Sequence, residues 1–143
     1  MTQQSVLLYP SLCLFEGTSV SQGRNSDHSF EALGSADLEG KYSFYFTTDR
    51  APQTKLYGID LKNYETNIFR KTKQINIAWV LELYKAFPDK TKFFRGTTIN
   101  TRLGSSNFID QITSGKSEAE IRKSWEPGLS QYKQMRKKYL LYK

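Results

Sequence analysis

The order of patterns along this chain predicts an α+β fold. Short apolar and aromatic runs with strand character fill the first half, and amphipathic helical stripes with their own start and stop signals fill the second. At 143 residues the chain reads as a single domain, residues 1–143, long enough to bury roughly 68–70% of its unfolded surface. The expected architecture is a small β-sheet from the N-terminal half packed against three to four helices from the C-terminal half.

Taken in order, Val6-Leu7-Leu8-Tyr9 and Leu12-Cys13-Leu14-Phe15 flank Pro10-Ser11 and suit two short buried strands. A polar loop, Glu16–Ser29, follows. The stretch from Phe30 to Gly40 reads as irregular. Tyr42–Thr47 alternates and is rich in rings, which predicts a strand, and Leu56–Leu61 predicts another beyond a turn at Asp49–Lys55. Ile77, Val80, Leu81, Tyr84 and Phe87 fall on one face of a helix, with Asn76 as its cap and Pro88 as its stop. Asn107 opens a short helix through Phe108, Ile109 and Ile112, closed at Gly115. Ser117 and Glu120 form a capping box for the next helix. Pro127 suits the first position of a last helix, whose buried stripe would be Leu129, Tyr132, Met135 and Tyr139.

Composition narrows the function classes. The chain has one Cys and one His, so no cluster at metal-ligand spacing exists and no internal disulfide can form. Cys13 sits in an apolar run, where a thiol is a small hydrophobe rather than a nucleophile, and pairing it with His28 is a poor catalytic proposal. Phosphate-cradling glycine motifs, a nucleophile elbow and nucleic-acid-binding signatures are absent. No cofactor is called for. No run approaches the ~18–20 apolar residues that span a bilayer. The first fifteen residues lack a basic region and a small-residue cleavage site, so they read as fold rather than signal peptide. The net charge is +7, and it is concentrated at the C-terminus. Arg122–Lys143 holds seven Lys or Arg against one acid, a pattern that fits the solvated face of a terminal helix or a surface for an anionic partner. Aromatic residues reach 14%, which suits either a ring-built core or a sugar-handling surface.

The chemistry concentrates in "LCLFEGTSVSQGRNSDHSF", Leu12–Phe30. An apolar run ends in Glu16, and small polar residues, one Arg and the single His follow. Glu16 stands where a rigid element meets a loop. There it can act as a general acid, or accept loop N–H groups and tie the loop down. Arg24 can fork onto a ligand carboxylate or pair internally with Glu16 or Asp27; on residue type the internal pair is favoured.

The same stretch carries a family resemblance. "LLYPSLCLFEGTSVSQGR" is similar to the run "YPSLCLFEGTNVSVGRGTDRPF" that opens the C-terminal domain of the NamZ-type exo-β-N-acetylmuramidases. The likeness continues through "LYGIDLKNY", "INIAWVLELYKAFPDKTKFF" and "SGKSEAEIRKSWEPGLSQYKQMRKKYLLY", from about Val6 to Lys143. The variant resembles Bacteroidetes members. The resemblance implies an exported, two-domain glycoside hydrolase of the cell wall. Such an enzyme removes N-acetylmuramic acid from the non-reducing ends of peptidoglycan fragments, in a cleft between this domain and an N-terminal Rossmann-like domain. Carried over by position, the motif makes Glu16 the catalytic candidate and Gly17, Thr18, Ser21, Gly23 and Arg24 the substrate-binding ones. Arg24 would fork onto the lactyl carboxylate of muramic acid, and Thr18 and Ser21 would bond sugar hydroxyls. The chain departs from the family in three ways. The resemblance covers only the C-terminal domain, so the N-terminal domain, and with it the main catalytic carboxylate, is expected to lie outside these 143 residues. It has Asn25-Ser26 for Gly-Thr and Ser29 for Pro, and the segment before Leu56 is shorter. The expectation is therefore a domain inactive alone, which needs the N-terminal domain in cis or in trans; the alternative is a stand-alone, non-catalytic peptidoglycan-binding domain.

Overall fold

The first element is a helix. In the computed structural model, which describes residues 2–142, α1 spans Gln3–Leu12 and runs through Pro10 before tightening into a 3₁₀ turn at Cys13–Gly17. The two strands expected over Val6–Phe15 are therefore not formed. Short apolar runs leave strand and helix undecided. What settles the matter is a face with a helical period: Leu8, Leu12 and Phe15 at i, i+4 and i+7 are all fully buried. Thr2 caps the helix, its hydroxyl accepting from the Ser5 amide at 3.0 Å.

Three antiparallel strands follow: β1 at Ala32–Ser35, β2 at Tyr45–Thr48 and β3 at Ala51–Asp60, in the order β1-β3-β2. The register pairs Leu33 with Ile59 and Gly34 with Gly58 on one side of β3, and Phe46 with Leu56 on the other. The stretch read as irregular contains β1 and a 3₁₀ turn, Ala36–Leu38. The aromatic strand begins three residues later than the alternation suggests. The turn shrinks to Asp49–Arg50, because β3 starts at Ala51 and is ten residues long.

The remaining helices are α2 (Asn67–Thr72), α3 (Ala78–Ala86), α4 (Thr98–Leu103), α5 (Phe108–Thr113) and α6 (Glu118–Arg136). The fold class is α+β, with a small antiparallel sheet and six α-helices among the described residues. Three helices, α1, α2 and α4, had no forecast. The stripe on α3 forms in part: Ile77, Val80 and Phe87 are buried, Leu81 and Tyr84 are half-buried, and Trp79 and Leu83 are buried beside them. Ile77 is the cap residue, and the Asn76 side chain accepts from the Trp79 amide. Rings build much of this core. Phe93 packs edge-on to Phe87 and Tyr84 at 5.3 Å, and Trp79 to Tyr64 at 4.9 Å.

The backbone forms two compact units, one up to Ile109 and one from Asp110 onward. In the second, the capping box at Ser117 and Glu120 is present, and Gly115 takes a positive φ of 78° behind α5. Pro127 does not restart a helix there; α6 passes through it. A proline ring fixes φ near the helical value, so it can be accommodated with loss of one backbone bond. The stripe Leu129, Tyr132, Met135 and Tyr139 is exposed rather than buried. Helical spacing shows which residues share a face; it does not show that anything covers that face.

Candidate functional site

Glu16 is carried by the 3₁₀ turn that extends α1, not by a strand. Its neighbours explain how that turn is held. Leu14 and Phe15 are buried on one side. Behind Glu16, Gly17 meets α4 so closely that a Cβ would lie 2.5 Å from the Ile99 amide nitrogen. The close approach brings Arg102, on α4, to Glu16. Arg102 Nη2 lies 2.6 Å from Glu16 Oε2, while Arg24 pairs with Oε1. Both carboxylate oxygens are thus engaged by guanidinium groups. The Glu16 side chain is 18% exposed, against about half for each arginine.

The loop after Glu16 is stitched down rather than free. The Thr18 hydroxyl donates to the Phe15 carbonyl at 2.9 Å and accepts from the Val20 amide at 3.1 Å. Ser19 NH donates to Phe93 O at 2.8 Å, and Arg95 NH to Gly17 O at 2.8 Å. Ser21 and Gly34 exchange two backbone bonds, tying the loop to β1. Gly23 has φ +72°, and a Cβ there would lie 2.1 Å from the His28 carbonyl oxygen. Asn25 takes a positive φ of 56°, a conformation Asn tolerates better than most residues. Phe30 is also left-handed, at φ 60°. Its ring lies edge-on to Tyr9 at 5.3 Å and supports the Arg24 guanidinium at 5.1 Å.

The result is an open cleft of about 680 Å³ whose lining includes Glu16, Thr18, Ser21, Arg24, Arg95 and Arg102. Four of the six residues singled out from sequence line it; Gly17 and Gly23 are not in the lining and shape the backbone behind it. Arg24 takes the internal pairing with Glu16. Thr18 is buried and its hydroxyl is committed to the backbone. Arg95 and Arg102 were missed, because nothing near them in sequence marks them; they reach the loop from far along the chain.

Other singled-out residues take lesser parts. Cys13 is half-buried and donates to the Pro10 carbonyl. Burial, then the Glu16 charge, push its thiol above the ordinary range, with Arg102 partly offsetting them. That makes it a poor nucleophile at neutral pH. The His28 ring packs edge-on to Phe44 at 5.4 Å. Among the described residues no group of three or more His, Cys, Asp or Glu is placed to hold a metal, and no helix is long and apolar enough to cross a membrane.

Fold and site together define an α+β domain that offers one wall-like cleft with a carboxylate clamped between arginines. Comparison with known proteins gives the family: the one described as "Exo-beta-N-acetylmuramidase NamZ, C-terminal" matches over residues 7–142, and the chain belongs to it. It is 26% identical over 159 residues to the peptidoglycan beta-N-acetylmuramidase NamZ of Bacillus subtilis, covering 99% of this chain and 38% of that protein. It is also similar to the crystal structure of a DUF1343 family protein from Bacteroides fragilis, with a TM-score of 0.87 and 32% identity over 99% of this chain and 42% of that one. The chain therefore spans about two fifths of the length of the relatives it matches.

Proposed function

We propose that this domain forms one side of the cleft in which an exo-acting peptidoglycan β-N-acetylmuramidase binds a terminal N-acetylmuramic acid, and that it does not hydrolyse the glycoside alone. The observation that carries the reading is the cleft itself: the Glu16–Arg24 motif opens onto it, and Glu16 is the carboxylate among its lining residues. Glycoside hydrolysis usually takes two carboxyl groups, one to protonate the leaving oxygen and one to act on the anomeric carbon or its water. One carboxylate supports half a site. The second would come from the N-terminal Rossmann-like domain expected of the family, supplied in cis or in trans. The domain unit 1–143 is then the C-terminal part of an exported enzyme working on peptidoglycan in the periplasm or outside the cell.

Glu16 is the carboxyl group this domain brings. Both its oxygens are held by guanidinium groups, so service as an acid requires one arginine to release it when substrate or the other domain arrives. That engaged state also favours a second reading, a stand-alone sugar-binding domain without turnover.

The test is hydrolysis of a chromogenic β-N-acetylmuramic acid glycoside by this chain, with and without the separately produced N-terminal domain of a close relative. The expected outcome is release only in the mixture. Release by the chain alone overturns the half-site reading and makes Glu16 the acid. Silence in both, with sugar binding retained and the relative's whole enzyme active in parallel, moves the reading to the binding domain.

A further inference from the structure

The cleft holds three arginines, and they are not equivalent. Arg24 and Arg102 are both committed to Glu16, and Arg24 also rests on the Phe30 ring. Arg95 has no carboxylate partner among the described residues, yet it is not loose. Its amide is bonded to Gly17 O, and its neighbour Phe94 pairs with Thr18. Its Nε donates to Ser19 Oγ at 3.3 Å, and that hydroxyl in turn donates to the Lys92 carbonyl at 2.6 Å. A guanidinium steadied through Nε leaves its two terminal nitrogens available. Those form a planar fork that matches a carboxylate, with less side-chain freedom to lose on binding than an unanchored arginine has. The charged side chains in the lining, three arginines against Glu16, make the cleft net positive before any ligand enters, which favours an anionic guest.

We propose that Arg95, oriented by Ser19, is the carboxylate subsite of this cleft, and that it selects sugars bearing an acidic ether substituent over their neutral parents. The inference rests on the reading of the cleft as a sugar site and deepens it. It also moves the acid-recognition role from Arg24, whose Nη2 is paired with Glu16, to a residue no local motif marks. N-acetylmuramic acid and N-acetylglucosamine differ only by the lactyl ether, so the pair isolates the subsite from the rest of the sugar.

The test is a titration of this chain with N-acetylmuramic acid and, separately, N-acetylglucosamine, followed by amide NMR shifts. The wild type is expected to prefer the acidic sugar by roughly tenfold or more, with shifts at Ser19 and Arg95, the scale of one charge-assisted fork. Arg95→Gln should lower affinity for the acidic sugar to that for the neutral one and leave the neutral sugar unchanged. Arg95→Lys keeps the charge without the fork and should retain only part of the preference; it decides the matter if the Gln variant does not fold. A preference that survives in Arg95→Gln, or remains whole in Arg95→Lys, overturns the assignment. Equal binding of both sugars by the wild type removes the subsite and leaves the sugar cleft standing. Binding of neither sugar removes both.

Discussion

The loop from Glu16 to Ser29 and the helix α6 invert the usual relation between polarity and burial. In the loop, Thr18 is 3% exposed although it is polar; on α6, Leu129 and Met135 are 47% and 49% exposed although they are apolar. Partners account for the difference. Thr18 is buried because its hydroxyl is bonded twice to nearby backbone groups, which removes most of the cost of leaving water. Leu129 and Met135 share a face with Tyr132, and that face is uncovered. Residue type sets what a position can tolerate, and the available partners decide where it ends up.

Three variants test this contrast, from the largest expected effect to the smallest. Gly23→Ala adds a Cβ 2.1 Å from a backbone oxygen at φ +72°. It should destabilise the chain by ~3 kcal/mol, combining a left-handed strain with a clash that backbone cannot easily relieve. A urea midpoint equal to wild type would show that the loop is free rather than stitched. Next, Ser117→Ala removes the cap of α6 and should cost about 1 kcal/mol at neutral pH by chemical denaturation. This effect is pH-dependent. The Ser117 hydroxyl first, and its backbone N–H second, hold the Glu120 carboxyl below its ordinary range. A lowered carboxyl stabilises the fold above the ordinary carboxylate range, and the contribution is lost as pH falls through its own lowered value. The gap between wild type and Ser117→Ala should therefore narrow on acidification; a gap that widened would remove the capping box as its cause. The smallest change is expected from Leu129→Ser with Met135→Ser, within about 0.5 kcal/mol of wild type because both side chains already meet solvent. A loss of several kcal/mol would show that the face is covered in solution.

Much of this molecule was legible where a signal is local. The α3 stripe, the Ser117–Glu120 box, Gly115 behind α5 and the motif from Glu16 to Arg24 are all written within a few residues. Legibility ended where the deciding partner is remote or absent. Val6–Phe15 has strand-like composition, and only the burial of Leu8, Leu12 and Phe15 makes it helical. The pairing of Arg102 with Glu16 and the bond from Arg95 to Ser19 join residues that share no spacing rule. Pro127 was misplaced because a helix-starting residue can also be carried inside a helix that continues around it.

The stitching of Gly17, Thr18 and Ser19 to Phe93, Phe94 and Arg95 has a consequence for how the cleft comes into being. The bond from Arg95 to Ser19 spans 76 positions of chain, and contacts of such separation form only after a large loop closes. A nascent chain therefore cannot build the cleft wall before the segment around Arg95 has emerged. On the proposed reading, an anionic sugar could occupy this surface only once both segments have met, and its binding would stabilise the folded chain by an amount that grows with the logarithm of ligand concentration.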